Sequence, residues 1–176
     1  MTKAHKLKPV YLSKEIDDRI GELAKEIKSH FKDEPVVVLI VLKGAFVFGA
    51  DLVRKIDLPV TIDFIGISSY EGIKSTGEIK VTKQPSIDMK NSHVIIVEDI
   101  VDSGRSVEFI LNFLSSKSPK SVKVCSFLNK PTAREVQVPV DFCAFSIPDM
   151  FVVGYGLDLD QRYRELPYLA EVISSS

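Results

Sequence analysis

The residues best equipped for chemistry lie together between Val94 and Ser106, in Val-Ile-Ile-Val-Glu-Asp-Ile-Val-Asp-Ser-Gly-Arg-Ser. Glu98 and Asp99 are adjacent carboxylates, and Asp102 is a third. Carboxylates are a poor match for a bare phosphate and a good one for sugar hydroxyls or hydrated Mg²⁺. The turn of Ser103, Gly104, Arg105 and Ser106 prefers the opposite charge. Gly104 lets the backbone approach closely, and free amides at the start of a following helix point toward an anion. A ligand that satisfies both halves carries hydroxyls and a phosphate, as a phosphorylated ribose does.

Elements of regular structure must hold these groups. Val94, Ile95, Ile96 and Val97 read as a strand buried on both faces, with the acidic pair at its carboxyl end. Val107, Ile110, Leu111 and Leu114 recur at helical spacing after the turn. In isolation the segment also reads as an ordinary βα turn with surface acids. Elsewhere, Ile16, Ile20, Leu23, Ala24, Ile27 and Phe31 predict a helix with Ser13 available as its N-cap. Val36 to Leu42 is a second buried strand, Ala45 to Val53 looks helical, and Val60 to Ser68 is a third strand. Val122 to Leu128 and Phe142 to Phe145 add two more. Strands alternating with helices predict an α/β domain whose mainly parallel sheet is covered on both faces. Ligands bind such sheets at the carboxyl ends of the strands. Lys43-Gly44 and the Glu98 to Ser106 loop both lie at such ends.

Four further segments carry polar chemistry, each with a plain alternative. Leu42-Lys43-Gly44 is a strand end with a turn glycine. Ser69-Tyr70-Glu71-Gly72 through Glu78 is polar and glycine-interrupted, either an exposed hairpin loop or a lid that excludes water from a reacting centre. Asn129-Lys130-Pro131 puts a cation at a strand end, where a solvated charge is ordinary. Ile147 to Asp158 contains Phe151, Val152 and Asp158, and Tyr163-Arg164-Glu165-Leu166 follows. Gly154-x-Gly156 lacks the third glycine of a dinucleotide loop, and no Gly-x-x-x-x-Gly-Lys-Ser/Thr element exists.

Taken together, these segments resemble a known family. Val94 to Ser106 matches the 5-phosphoribosyl-1-diphosphate (PRPP) signature of type I phosphoribosyltransferases. From about Val10 to Val172 the chain resembles the hypoxanthine-guanine members. The resemblance implies the type I fold as a single domain over 1–176, with a core at about 33–145 and a small hood from about 1–12 and 146–172. It implies transfer of 5-phosphoribose from PRPP to N9 of a 6-oxopurine (hypoxanthine, guanine or xanthine), with Mg²⁺ as cofactor. Glu98 and Asp99 would hold ribose hydroxyls and the metal shell, and Asp102 would handle the proton near N7. Ser103, Gly104, Arg105 and Ser106 would cradle the 5′-phosphate. Lys43, Gly44 and Arg164 would bind diphosphate, with the Leu42–Lys43 peptide cis. Lys130 would donate to the oxygen at purine position 6, which disfavours adenine. Phe151 would stack on the base and the Val152 backbone would read its edge. Asp158 would reach a second Mg²⁺ or the base, and Arg134 would orient its neighbourhood. Ser69 and Tyr70 would belong to a mobile catalytic loop. Arg105-Ser106 stands where many members have Lys-Thr, and Pro131 stands where a basic residue is also found. A homodimer or homotetramer is implied. The competing class is a regulator of nucleotide operons on the same fold, which binds RNA and keeps weak uracil transferase activity.

Composition is consistent with the enzyme reading. With 176 residues, 45% hydrophobic and 27% charged, the chain can bury a core without staples. A formal net charge of −1 argues against broad binding to nucleic acid. Cys125 and Cys143 lie in apolar runs with no CxxC pair, and read as buried thiols in a reducing compartment. His5, His30 and His93 show no metal-ligand spacing. No run is long enough to span a bilayer and the N-terminus lacks a signal-peptide core, so the expected location is the cytoplasm.

Overall fold

The computed structural model describes residues 5–69 and 79–173. The elements are β1 (Lys6–Tyr11), α1 (Ser13–Phe31), β2 (Val36–Leu42), α2 (Phe46–Lys55), β3 (Val60–Ser69), β4 (Ile79–Lys83), β5 (His93–Val101), α3 (Arg105–Ser115), β6 (Ser121–Asn129), β7 (Phe142–Ser146), β8 (Val152–Val153) and β9 (Leu169–Ile173), with a short 3-10 turn at Pro131–Ala133. A six-stranded sheet has the order β4-β3-β2-β5-β6-β7. It is parallel except for the antiparallel pair β3 and β4.

The sheet is sandwiched because β2 and the Val94–Val97 stretch of β5 are apolar at every position. Along β2, Val36, Val38 and Ile40 face one cluster while Val37, Leu39 and Val41 face the other. The first cluster takes Ile16, Ile20, Leu23, Ala24, Ile27 and Phe31 of α1 with Phe48 and Leu52 of α2. The second takes Val107, Ile110 and Leu114 of α3. Burying each large aliphatic side chain fully is worth about 1.5–3 kcal/mol. Helices on opposite faces follow from the strand order. The chain leaves β2 through α2 toward β3, and leaves β5 through α3 toward β6 on the other side. The order therefore reverses between β2 and β5, which opens a crevice at their carboxyl ends.

A second, three-stranded antiparallel sheet, order β1-β9-β8, joins the two chain ends into the expected hood. Pro9 sits in β1, an edge strand, where its missing N–H is tolerated and the register shifts beside it. Rings fasten the hood to the sheet. Tyr155 lies 4.8 Å from Phe127 of β6 between ring centroids, and Tyr11 stacks on Phe145 of β7 at 4.0 Å.

Several local expectations need correction. Ser13 is the first residue of α1, and the cap is Leu12, whose N–H donates to Glu15 Oε2 at 2.7 Å. Strand β5 continues to Val101, so Glu98 and Asp99 lie within it because their backbones keep pairing with β6. β4 was not anticipated, since its Ile-Lys-Val-Thr-Lys sequence is half polar and pairs only at the sheet edge. Cys143 is only half-buried, whereas Cys125 is fully enclosed.

Candidate active site

The crevice at the strand reversal holds a cavity of about 650 Å³. Lys43 and Gly44 reach it from the end of β2, Glu98 and Asp99 from β5, Ser106 from α3, and Asp158 and Arg164 from the hood. Seven sequence-predicted residues from four parts of the chain thus share one chamber. Ile67 and Ser68 of β3, together with Gln161, complete its wall and were not singled out by sequence. The Leu42–Lys43 peptide is cis.

Two glycines explain how the hood comes so close. A side chain at Gly44 would collide with the Asp99 carboxylate, so Gly44 makes room for the acid of the neighbouring strand. Gly156, at φ +101°, has no space for a Cβ because the Gly44 carbonyl oxygen lies against it. Gly154, at φ +97°, is held equally tightly against the Tyr168 carbonyl oxygen. The Gly154-x-Gly156 pair is therefore a packing device: Gly156 locks the hood turn onto the loop after β2, and Gly154 packs the turn against the hood's own Tyr168.

The electrostatics divide the cavity. Glu98 is 4% exposed, and its Oε2 has no hydrogen-bond partner. Burial first, then the charges of Asp99 and Asp102, pushes its carboxyl well above the usual range. Asp99 is raised to about 6, by burial first and by Asp102, although its Oδ1 accepts the Ile100 N–H at 2.9 Å and Arg164 pulls the other way. Opposite them stand the cations. Arg164 Nη2 lies 2.7 Å from Asp158 Oδ1, and its Nη1 donates to the Gly156 carbonyl at 2.7 Å. Lys43 Nζ donates to Gln161 Oε1 at 3.2 Å.

The loop of residues 102–104 follows β5 and leads into α3. Gly104 caps α3 at φ +88°, with the Val136 carbonyl where a Cβ would stand. The Ser103 carbonyl accepts N–H groups from Glu135 and Val136, both at 2.9 Å, so the stretch after β6 buttresses the loop. Asp102 is exposed at the loop entry, its Oδ1 accepting the Ser103 N–H. Arg105 turns outward to Glu135 Oε2 at 2.7 Å.

Lys130, Phe151 and Val152 form a separate group that does not line the cavity. Lys130 Nζ donates to the Met150 carbonyl at 2.6 Å and lies 3.6 Å from Asp149 Oδ1. That contact ties the end of β6 to the segment carrying Phe151. Phe151 is 54% exposed, an apolar ring open to solvent, while Val152 is buried in β8. Arg134 donates to Asn129 Oδ1 and to the Val101 carbonyl, bracing the ends of β5 and β6 around Lys130, whose own N–H donates to the same Val101 carbonyl at 2.9 Å. Asp158, expected at a metal or at the base, lies in the cavity with the acidic pair. Of the loop expected over Ser69 to Glu78, Ser69 ends β3, and Tyr70 to Glu78 lie outside the described residues.

The mainly parallel sheet thus sets an acidic pair and a helix-start loop at its reversal point. The family pattern described as the phosphoribosyl transferase domain matches residues 11–161. The hypoxanthine phosphoribosyltransferase of Buchnera aphidicola is 45% identical over 172 residues, covering 96% of this chain and 97% of that protein. The hypoxanthine-guanine phosphoribosyltransferase of Aquifex aeolicus is 45% identical over 170 residues, covering 94% and 96%. Among solved structures, a hypoxanthine-guanine phosphoribosyltransferase from Bacillus anthracis superimposes with a TM-score of 0.91 at 40% identity, covering 97% of this chain and 100% of that one. The chain belongs to the phosphoribosyltransferases, and within them to the hypoxanthine-guanine branch.

Proposed function

We propose that this protein transfers 5-phosphoribose from PRPP to N9 of hypoxanthine or guanine, giving IMP or GMP and releasing diphosphate. The observation that carries this is the pairing, in one cavity, of an acidic pair on β5 with the cations Lys43 and Arg164. In the reaction the bond from ribose C1 to the diphosphate oxygen breaks and the bond from C1 to N9 forms. The base attacks through the N9 lone pair as its N7–H tautomer and loses the N7 proton, while the one oxygen that joined the diphosphate to C1 departs with it and keeps the bonding electron pair. Lys43 and Arg164 receive that developing charge. A forked guanidinium suits adjacent phosphoryl oxygens, and Asp158 holds its orientation. Glu98 and Asp99 accept hydrogen bonds from the ribose hydroxyls, for which the unpartnered Glu98 Oε2 is suited. The amides and hydroxyls of 103–106 hold the 5′-phosphate, and the exposed Asp102 accepts or relays the proton near N7 of the base. Lys130 donates to the 6-oxygen, Phe151 stacks on the ring, and the Val152 backbone reads its edge.

The donor set also fits Mg²⁺. Glu98 and Asp99, with Asp158 across the cavity, are oxygen ligands, and no cluster of three or more His, Cys, Asp or Glu side chains forms a metal cage among the described residues. Mg²⁺ is commonly held by one or two carboxylates plus substrate oxygens and water. When bound it would neutralise diphosphate and improve it as a leaving group. A homodimer or homotetramer acting in the cytoplasm completes the proposal. No described helix is long and apolar enough to cross a membrane.

The test is a spectrophotometric assay with PRPP and hypoxanthine, guanine, xanthine, adenine and uracil, with and without Mg²⁺. Turnover of the 6-oxopurines and rejection of adenine is expected. Equal use of adenine or uracil overturns the substrate assignment. Uracil turnover coupled to RNA binding would favour the regulator.

A further inference from the structure

Gln161 presents an oddity in backbone and side chain together. Leu159 and Arg162 exchange two backbone hydrogen bonds, each 3.1 Å, across a two-residue turn of Asp160 and Gln161. Both turn residues have positive φ, +53° and +63°, the φ signature of a type I′ hairpin turn. Glycine is favoured in such turns because a side chain makes this conformation uncomfortable. Here a glutamine takes the second place, and its side chain lines the cavity. Its amide oxygen accepts from Lys43 Nζ at 3.2 Å and from Arg164 Nη2 at 3.3 Å. The Asp158 carboxylate fixes the turn by accepting the Gln161 N–H at 2.8 Å.

The two cations differ in their support. Arg164 is also held by Asp158 and by the Gly156 carbonyl. Among the described residues, the Lys43 ammonium has Gln161 Oε1 as its hydrogen-bond acceptor. Two like charges that share one acceptor need an oxygen between them. A neutral amide supplies it without cancelling the charge that must attract an anion.

We infer that Gln161 is a positioning residue for the diphosphate half of the substrate: its amide oxygen gathers Lys43 beside Arg164 before an anion arrives. The inference rests on the proposed function and deepens it. Pre-gathering the cations lowers the ordering cost of binding. Lys130 and Phe151, assigned to the base, make no hydrogen bond to this turn among the described residues.

The experiment uses the full chain with Gln161→Gly and Gln161→Glu. Glycine removes the amide and relaxes the turn, so a folding defect is not built into the variant. The readouts are calorimetric titration with inorganic diphosphate in the presence of Mg²⁺, the KM for PRPP and for hypoxanthine, and the melting temperature. For Gln161→Gly, diphosphate affinity and PRPP KM should worsen about three- to tenfold while hypoxanthine KM stays within about twofold. Its melting temperature should equal or exceed wild type. Gln161→Glu should be worse than Gln161→Gly, because a carboxylate occupies the cations and repels the ligand. Unchanged or tighter diphosphate binding by Gln161→Gly overturns the inference, the tighter case marking the amide as a competitor. Parallel loss of PRPP and hypoxanthine affinity also overturns it. A wild-type protein that binds no diphosphate would instead remove the proposed function itself.

Discussion

Asp63 offers a stability prediction whose size can be worked from its contacts. It lies in the middle of β3, 4% exposed, where a lone carboxylate would be costly. Burial raises its proton affinity, but the N–H groups of Ile87, Phe64 and Ser86 and the Ser86 hydroxyl outweigh that and bring it to about 2. Lys83 Nζ adds a cation 3.5 Å away. The folded pKa is thus below the unfolded value of about 3.9, so the folded state binds fewer protons. The contribution is complete above pH ~4 and is lost as pH falls toward ~2. About two pKa units correspond to roughly 2–3 kcal/mol, or about 5–10 °C in melting temperature for a domain of this size. Asp63→Asn keeps the shape and removes the charge. Urea unfolding at pH 7 should show the variant weaker by that amount. The gap should narrow toward zero as the pH is lowered to ~2, because protonated Asp63 then resembles Asn. Because β3 also supplies Ile67 and Ser68 to the cavity wall, the KM for PRPP should be measured alongside; it should stay at the wild-type value while the variant is folded. A stability gap of the same size at pH 7 and pH 2.5 would refute the charge argument and leave only a packing effect.

Two other outcomes address the chemistry. Asp102→Asn should keep PRPP binding and lose about 10²–10⁴-fold in kcat, as removal of a proton-handling group does; undiminished kcat would sink that role. Lys130→Ala should raise KM for hypoxanthine and guanine far more than for PRPP, because a hydrogen bond from a charged group is worth roughly 1.5–3 kcal/mol. The Met150 carbonyl takes one of its three donors, leaving others for the base. If PRPP affinity falls and base affinity does not, Lys130 belongs to the phosphate side.

What the sequence revealed, and what it hid, divides along the range of the interactions. Val36 to Leu42 and Val94 to Val97 were legible because a strand buried on both faces is apolar at every position. The acidic pair and the loop to Ser106 were legible because their chemistry is contiguous in the chain. The hood was legible only through family resemblance. Its strands are short, β1 is half-exposed and carries Pro9, and they gain meaning by pairing across almost the whole chain, as Lys6 does with Ile173. Gly154 and Gly156, set aside as a dinucleotide loop for want of a third glycine, kept their role hidden for the same reason. Their spacing suggests a fragment of a nucleotide loop, but their need for small size comes from the carbonyls of Tyr168 and Gly44, which nothing local announces. Gln161 is the extreme case. A polar residue in a polar turn carries no signal until folding sets its amide between Lys43 and Arg164. The one trace in the chain is a negative one: the turn after Leu159 contains no glycine where its backbone would favour one. A departure from local preference at a cavity wall therefore marks a side chain that tertiary structure uses. The same logic applies to the buried Glu98, which conflicts with its apolar strand in sequence and faces the cavity in the fold.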